Sequence, residues 1–169
     1  MSKSCQFVLG DEVDQYNPPP NVNQIKEMKK RTRSYDHSLV GLVCTPTKEN
    51  GTIWKEYLQG SQGKWFLRCK GCNELTLDSS NTSNLQFESE YDETLRTYRV
   101  KKGTCVLICP VCKHEHHYED SRWMNVNGGW IHKFPELLNT NSSFQFGALA
   151  SQLKSLSWDF IAQEQLGAR

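Results

Sequence analysis

Two adjacent carboxylates, Asp11 and Glu12, stand at the end of an apolar run, Phe7-Val8-Leu9, that passes through Gly10 and continues into Val13-Asp14-Gln15-Tyr16. Such a run predicts a buried strand, and a parallel strand ending in paired acids delivers them to the crevice at its carboxyl end. There the first acid can hold Mg²⁺ against phosphate oxygens, and the second can orient or deprotonate an attacking water. Four cysteines offer a second chemistry. Cys69-Lys70-Gly71-Cys72 and Cys109-Pro110-Val111-Cys112 are two Cys-x-x-Cys knuckles, and each tight turn lets two thiolates reach one tetrahedral Zn²⁺ at about 2.3 Å. A four-thiolate site is closed and hence structural. Arg68, Lys70 and Lys113 beside the knuckles offset its negative charge.

The knuckles need a scaffold. Between them Leu75-Thr76-Leu77, Leu85-Gln86-Phe87-Glu88, Thr97-Tyr98-Arg99-Val100 and Thr104-Cys105-Val106-Leu107-Ile108 read as short strands, the last two joined at Lys101-Lys102-Gly103. The result is a small antiparallel zinc ribbon, with Asp78 to Asn84 and the acids from Glu88 to Glu93 as an exposed excursion. His114, His116 and His117 crowd the second knuckle; their spacing is not that of zinc hydrolases, and they read as exposed residues on a strand, with His114 or His116 as a substitute ligand the alternative. Cys5, Cys44 and Cys105 have no partner at ligand spacing and read as small apolar residues. Leu149 to Leu166 shows helical apolar spacing and predicts a packing helix.

Ahead of the knuckles, Leu39-Val40-Gly41-Leu42-Val43 predicts another buried strand, ending in Cys44-Thr45-Pro46-Thr47, where the proline stops the strand. The basic run from Lys26 to Arg33 lies on an amphipathic helix spanning about Asn23 to Tyr35. With 169 residues and a formal net charge of +1, the chain has room for one domain or two small ones and lacks a global basic field for nucleic acid. No stretch approaches the roughly 18 apolar residues that span a bilayer, and no signal-peptide core follows the opening residues, so a cytoplasmic protein is expected.

The acidic segment has the form of a Walker B strand. The phosphate-binding loop that works with it, Gly-x-x-x-x-Gly-Lys-[Ser/Thr], does not occur in the 169 residues; Gly60-Ser61-Gln62-Gly63-Lys64-Trp65 has the wrong spacing. The order of the pieces carries more than any one of them. An apolar strand into Asp-Glu-Val-Asp-x-Tyr, a loop at Pro18-Pro19-Pro20, a basic helix, a strand into Thr-Pro-Thr, Ile53-Trp54-Lys55-Glu56-Tyr57, two knuckles, Gly128-Gly129-Trp130 and a small-residue stretch into Ser157-Trp158 follow one another. This succession resembles the large terminase subunit of lambda-type tailed bacteriophages, over roughly residues 2 to 165.

The resemblance implies an α/β chain: residues 1–60 as the distal half of a P-loop ATPase sheet, 61–134 as the zinc ribbon, and 135–169 as a C-terminal helical segment leading toward a nuclease domain not contained here. It implies Asp11 as the ligand of Mg²⁺-ATP, Glu12 as the catalytic carboxylate, and Cys44 and Thr45 as part of the motif that couples hydrolysis to DNA movement. Cys69, Cys72, Cys109 and Cys112 would hold structural zinc. Cys44 departs from the family's serine, and the first knuckle lacks the family's proline. The implied partners are double-stranded DNA, the terminase small subunit and the portal protein, in the cytoplasm of the host cell. The alternative is a stand-alone zinc-ribbon module that binds nucleic acid or protein, with Asp11-Glu12 an incidental strand end.

Overall fold

The computed structural model describes residues 4–17, 22–46 and 48–167; the Pro18-Pro19-Pro20 loop and Thr47 lie outside them. The chain is mixed α/β and forms two compact units, Met1–Gly60 and Ser61–Arg169.

The first unit runs β1 (Phe7–Asp11), α1 (Gln24–Arg31), β2 (Leu39–Val43) and α2 (Thr52–Leu58). β1 and β2 pair in parallel, from Phe7 opposite Leu39 to Asp11 opposite Val43. Asn23 caps α1 by accepting from the Lys26 N–H at 2.9 Å, satisfying one of the amides that a helix start leaves unpaired. The helix ends at Arg31, short of Tyr35, in a basic last turn that suits its dipole. Val13 and Ile25 are buried on one side of the strand pair. A Cβ at Gly10 would stand 3.0 Å from Val13 and 3.1 Å from Met28, so glycine permits that close approach.

The opposite side departs from the sequence expectation of buried strands. Phe7, Leu9, Leu39 and Val43 are 66%, 73%, 62% and 56% exposed. Strand side chains alternate between faces, and here only one face of the pair is covered. The apolar run marked strands correctly but could not show how many layers cover them.

The second unit contains β3 (Gly63–Arg68), β4 (Leu75–Asp78), β5 (Leu85–Gln86), β6 (Ser89–Asp92), β7 (Thr97–Val100), β8 (Val106–Ile108), β9 (Glu115–His116), α3 (Ser121–Val126), β10 (Gly129–His132), β11 (Phe144–Gln145) and α4 (Trp158–Gly167). β3 pairs antiparallel with β4 and β10 and parallel with β11; β8 pairs antiparallel with β5 and β9. β6 and β7 form a separate hairpin. Although Lys101-Lys102-Gly103 does connect β7 to β8, these strands are not partners, and Gly103 takes φ +79° where the chain leaves one sheet for another. The core gathers Leu67, Leu77 and Leu107 from the sheets, Met124 from α3, and Trp158, Ile161 and Ala162 from α4.

Two segments differ from expectation. Leu149 to Leu166 is not one helix: single 3₁₀ turns at Ala148–Ala150 and Lys154–Leu156 precede α4. Ser151 and Ser157 are extended, and the Ser157 hydroxyl accepts from the Phe160 N–H at 3.4 Å, so serine starts the helix late. The Trp158 indole donates to the Leu149 carbonyl at 3.3 Å, which folds the segment back on itself. Nor is Asp78 to Asn84 wholly exposed. Ser79 is fully buried; its hydroxyl accepts from Gly147 N–H at 3.0 Å and its carbonyl from Leu149 N–H at 3.2 Å.

Candidate metal centre and acidic strand end

In the first unit, the parallel register sets the carboxyl ends of β1 and β2 side by side, because Asp11 lies opposite Val43 and Cys44 follows. Glu12 turns out of the strand with φ 49° and ψ 44°, a left-handed conformation unusual for a residue with a Cβ. Its N–H donates to Asp11 Oδ1 at 3.0 Å, and its carboxylate Oε2 accepts from Cys44 Sγ at 3.9 Å. The same thiol lies 3.2 Å from the Thr45 carbonyl. Asp11, Glu12 and Cys44 are thus brought together with Thr45 next in chain, whereas Thr47 lies outside the described residues.

The motif's third acid has a role that the sequence reading missed. Asp14 Oδ1 accepts from the Ile53 N–H at 2.9 Å and caps α2 from outside, because the residue at the cap position, Gly51, has no side chain to do so. A Cβ at Gly51 would stand 2.6 Å from Asp14 Oδ2. A glycine directly before Thr52-Ile53-Trp54, at a helix start without a polar cap, was the available signal.

In the second unit, each knuckle joins two antiparallel strands, β3 to β4 and β8 to β9, and the two turns repeat one another bond for bond. Cys69 N–H donates to Glu74 C=O at 2.9 Å, and Cys109 N–H to His114 C=O at 3.0 Å. Asn73 N–H returns to Cys69 C=O at 2.9 Å, and Lys113 N–H to Cys109 C=O at 3.1 Å. Asn73 and Lys113 occupy the left-handed region, φ 60° and 61°, each just after the second cysteine of its pair. The four sulfurs lie within 4.8 Å of one another, with Cys69 to Cys112 at 3.5 Å and Cys72 to Cys109 at 4.0 Å. Tetrahedral bonds of about 2.3 Å put neighbouring sulfurs about 3.8 Å apart, so the set fits a zinc-sized ion.

The surroundings act on these thiols in opposite directions. Gly71 N–H donates to Cys69 Sγ at 3.3 Å, and the Thr76 hydroxyl lies 3.3 Å from Cys109 Sγ. Burial pushes the Cys69 thiol up to about 12. Burial acts the same way on Cys109, but hydrogen bonds from Thr76 and from the backbone N–H groups of Cys112 and Val111 bring it down to about 6. Thiols this close ionise together only around a cation, and these four can bind a metal. Of the flanking basic side chains, Arg68 donates to the carbonyls of Asn127 and Asn73, and Lys113 to that of Pro110.

His116 departs from the expectation of an exposed strand residue. It is fully buried, with Nε2 3.3 Å from Cys69 Sγ, because β9 runs back along β8 and turns alternate residues toward the knuckles. Burial lowers its pKa, reinforced by His114 and opposed by Asp120. Period-two alternation after the second knuckle would have placed His114 and His116 on one face and His117 on the other.

The first unit therefore holds an acidic strand end flanked by a thiol, and the second a four-cysteine cluster that could hold a metal, within one mixed α/β chain. The chain belongs to the phage terminase large subunit gpA family, whose ATPase-domain model matches residues 1–130, a span that includes both knuckles. It matches no curated protein and no solved structure. The resemblance drawn from the order of the motifs is borne out by this match, and the family is one of DNA-packaging ATPases. Among the described residues, no helix is long and apolar enough to cross a membrane.

Proposed function

We propose that residues 1–60 are the distal part of a P-loop ATPase sheet, in which Asp11 holds Mg²⁺ on ATP and Glu12 activates the water that attacks the γ-phosphate. Cys44 and Thr45, at the end of the neighbouring strand, sense the outcome and couple it to DNA movement. The observation that carries this reading is the contact between Cys44 and the Glu12 carboxylate at 3.9 Å, created by the parallel register of β1 and β2. Parallel strands are ordinarily covered by helices on both faces, so the exposed Phe7, Leu9, Leu39 and Val43 mark the face on which a further helical layer of the P-loop fold would pack.

In the same reading, residues 61–134 are a zinc ribbon in which Cys69, Cys72, Cys109 and Cys112 hold structural zinc, and residues 135–169 lead toward a nuclease. The whole machine packages double-stranded viral DNA into procapsids, cuts the concatemer, and works with the terminase small subunit and the portal protein in the host cytoplasm. The test joins these residues to a polypeptide carrying the phosphate-binding loop. ATP turnover is expected, and Glu12→Gln abolishes it while leaving nucleotide binding nearly intact, because the amide keeps the shape but cannot accept the water's proton. Undiminished turnover with Gln at position 12 would reduce Glu12 to a strand-end acid and leave the stand-alone zinc-ribbon module as the better reading.

A further inference from the structure

The four-cysteine centre has a neighbour that metal ligation alone does not use. His116 is fully buried, its Nε2 faces Cys69 Sγ at 3.3 Å, and its Nδ1 is buried without a hydrogen-bond partner, 4.0 Å from Asp120 Oδ2. The other contacts fix this ring in place. Its edge meets His114 with ring centres 4.7 Å apart. Asp120 is held by Lys70 Nζ at 2.5 Å and by the His117 N–H at 3.3 Å, and Lys70 is the residue after Cys69. Side chains and backbone thus close a circuit from Cys69 through His116, Asp120 and Lys70 back to Cys69.

A neutral imidazole has one N–H, and its partner decides which nitrogen carries it. A metal-bound thiolate can only accept. A nitrogen 3.3 Å from such a sulfur is therefore the protonated one, unless its lone pair binds the metal itself. A metal there would already have four sulfurs, all within 4.8 Å of one another, and the ring sits beside Cys69 rather than in place of a knuckle cysteine.

We propose that His116 is a positioning residue of the metal centre: its Nε2–H donates to the Cys69 sulfur, withdraws charge from that thiolate and fixes its direction toward the metal. This rests on the reading of the four cysteines as a metal site. Partners beyond the ligand shell typically change metal affinity by about 10–100-fold when removed.

The experiment uses the full chain loaded with ¹¹³Cd²⁺ and labelled with ¹⁵N. The expected result is one bound ion, an Nε2–H tautomer for His116, and a scalar correlation between that proton and cadmium through the sulfur. A direct one-bond coupling between cadmium and the His116 nitrogen would make the residue a ligand and overturn the proposal. Full loading with neither correlation also overturns it, and failure to bind cadmium at all overturns the metal reading beneath it. In parallel, His116→Phe loaded with Co²⁺ should shift the sulfur-to-cobalt charge-transfer bands to longer wavelength and weaken binding at least about tenfold. Unchanged bands and affinity in a folded variant would leave His116 as packing only.

Discussion

Replacing either of two buried cysteines by alanine deletes one sulfur, yet the two changes should differ several-fold in cost. Cys105 is 6% exposed in the apolar core beside Leu107, and burial pushes its thiol up to about 12, so it behaves as a small hydrophobe. Its removal forfeits packing worth about 1 kcal/mol, by analogy with other small deletions from cores. Cys109 is fully buried too, but it is one of the four clustered sulfurs. Metal-binding energy in structural zinc sites is folding energy, about 10–16 kcal/mol at neutral pH, against a total stability of roughly 5–15 kcal/mol for a domain. Losing it removes about as much as the whole stability of the unit. Thermal unfolding followed by circular dichroism, with zinc content measured on the same samples, separates the two cases. Cys105→Ala should lower the midpoint by about 4–8 °C and keep one zinc; Cys109→Ala should lose the metal and unfold at least residues 64–134 at room temperature, as should chelation of the unaltered protein. Equal, small shifts in both variants, with no effect of chelator, would refute the reasoning.

Other outcomes are expected from single contacts. Asp14→Ala should destabilise the first unit by about 0.5–2 kcal/mol, because α2 then starts with Gly51 alone and the Ile53 N–H goes unpaired; denaturant unfolding measures it, and a loss below the lower bound would assign the cap no energetic role. Asp78 sits 2.8 Å from Lys64; burial raises its pKa, but hydrogen bonds from Lys64 and Ser80 outweigh this and leave it below 3.8. A depressed folded-state pKa stabilises fully above the unfolded value and loses that contribution as pH falls through the folded value, so stability should drop below about pH 4, and Asp78→Asn should flatten that limb of the pH profile. An unchanged acid limb in the variant would show that Asp78 is not its source.

Much of the candidate chemistry was legible from residue order. The carboxylates Asp11 and Glu12 and the two Cys-x-x-Cys pairs depend on neighbours in sequence, and a strand or a tight turn is a local event. What was not legible depends on residues far apart. That β8 pairs with β5 rather than with β7 is decided by tertiary packing, as is the burial of Ser79 by Gly147 and Leu149. Of the helical spacing read from Leu149 onward, Leu149 and Ile161 enter the core but Leu153 and Phe160 stay exposed, and two extended serines break the backbone between them. Glu12 and Cys44 could each be suspected alone; their contact required the register of two strands.

The knuckles lie on two separate strand pairs, β3 with β4 and β8 with β9, so a shared metal works as a clasp between ribbons rather than as a pin within one. The stretch between the knuckles is not a free loop: Leu77, Leu85, Cys105 and Leu107 enter the core and Val100 packs against it, so only the exposed tip of the β6–β7 hairpin, residues 93–96, stands clear of it. The entropy cost of closing a flexible loop grows only logarithmically with its length, about 0.6 kcal/mol for each doubling. A hairpin tip of this kind can lengthen, shorten or change its surface with little effect on the unit beneath it. That tip is therefore where this architecture has the most freedom to acquire a new contact surface while its foundation stays fixed.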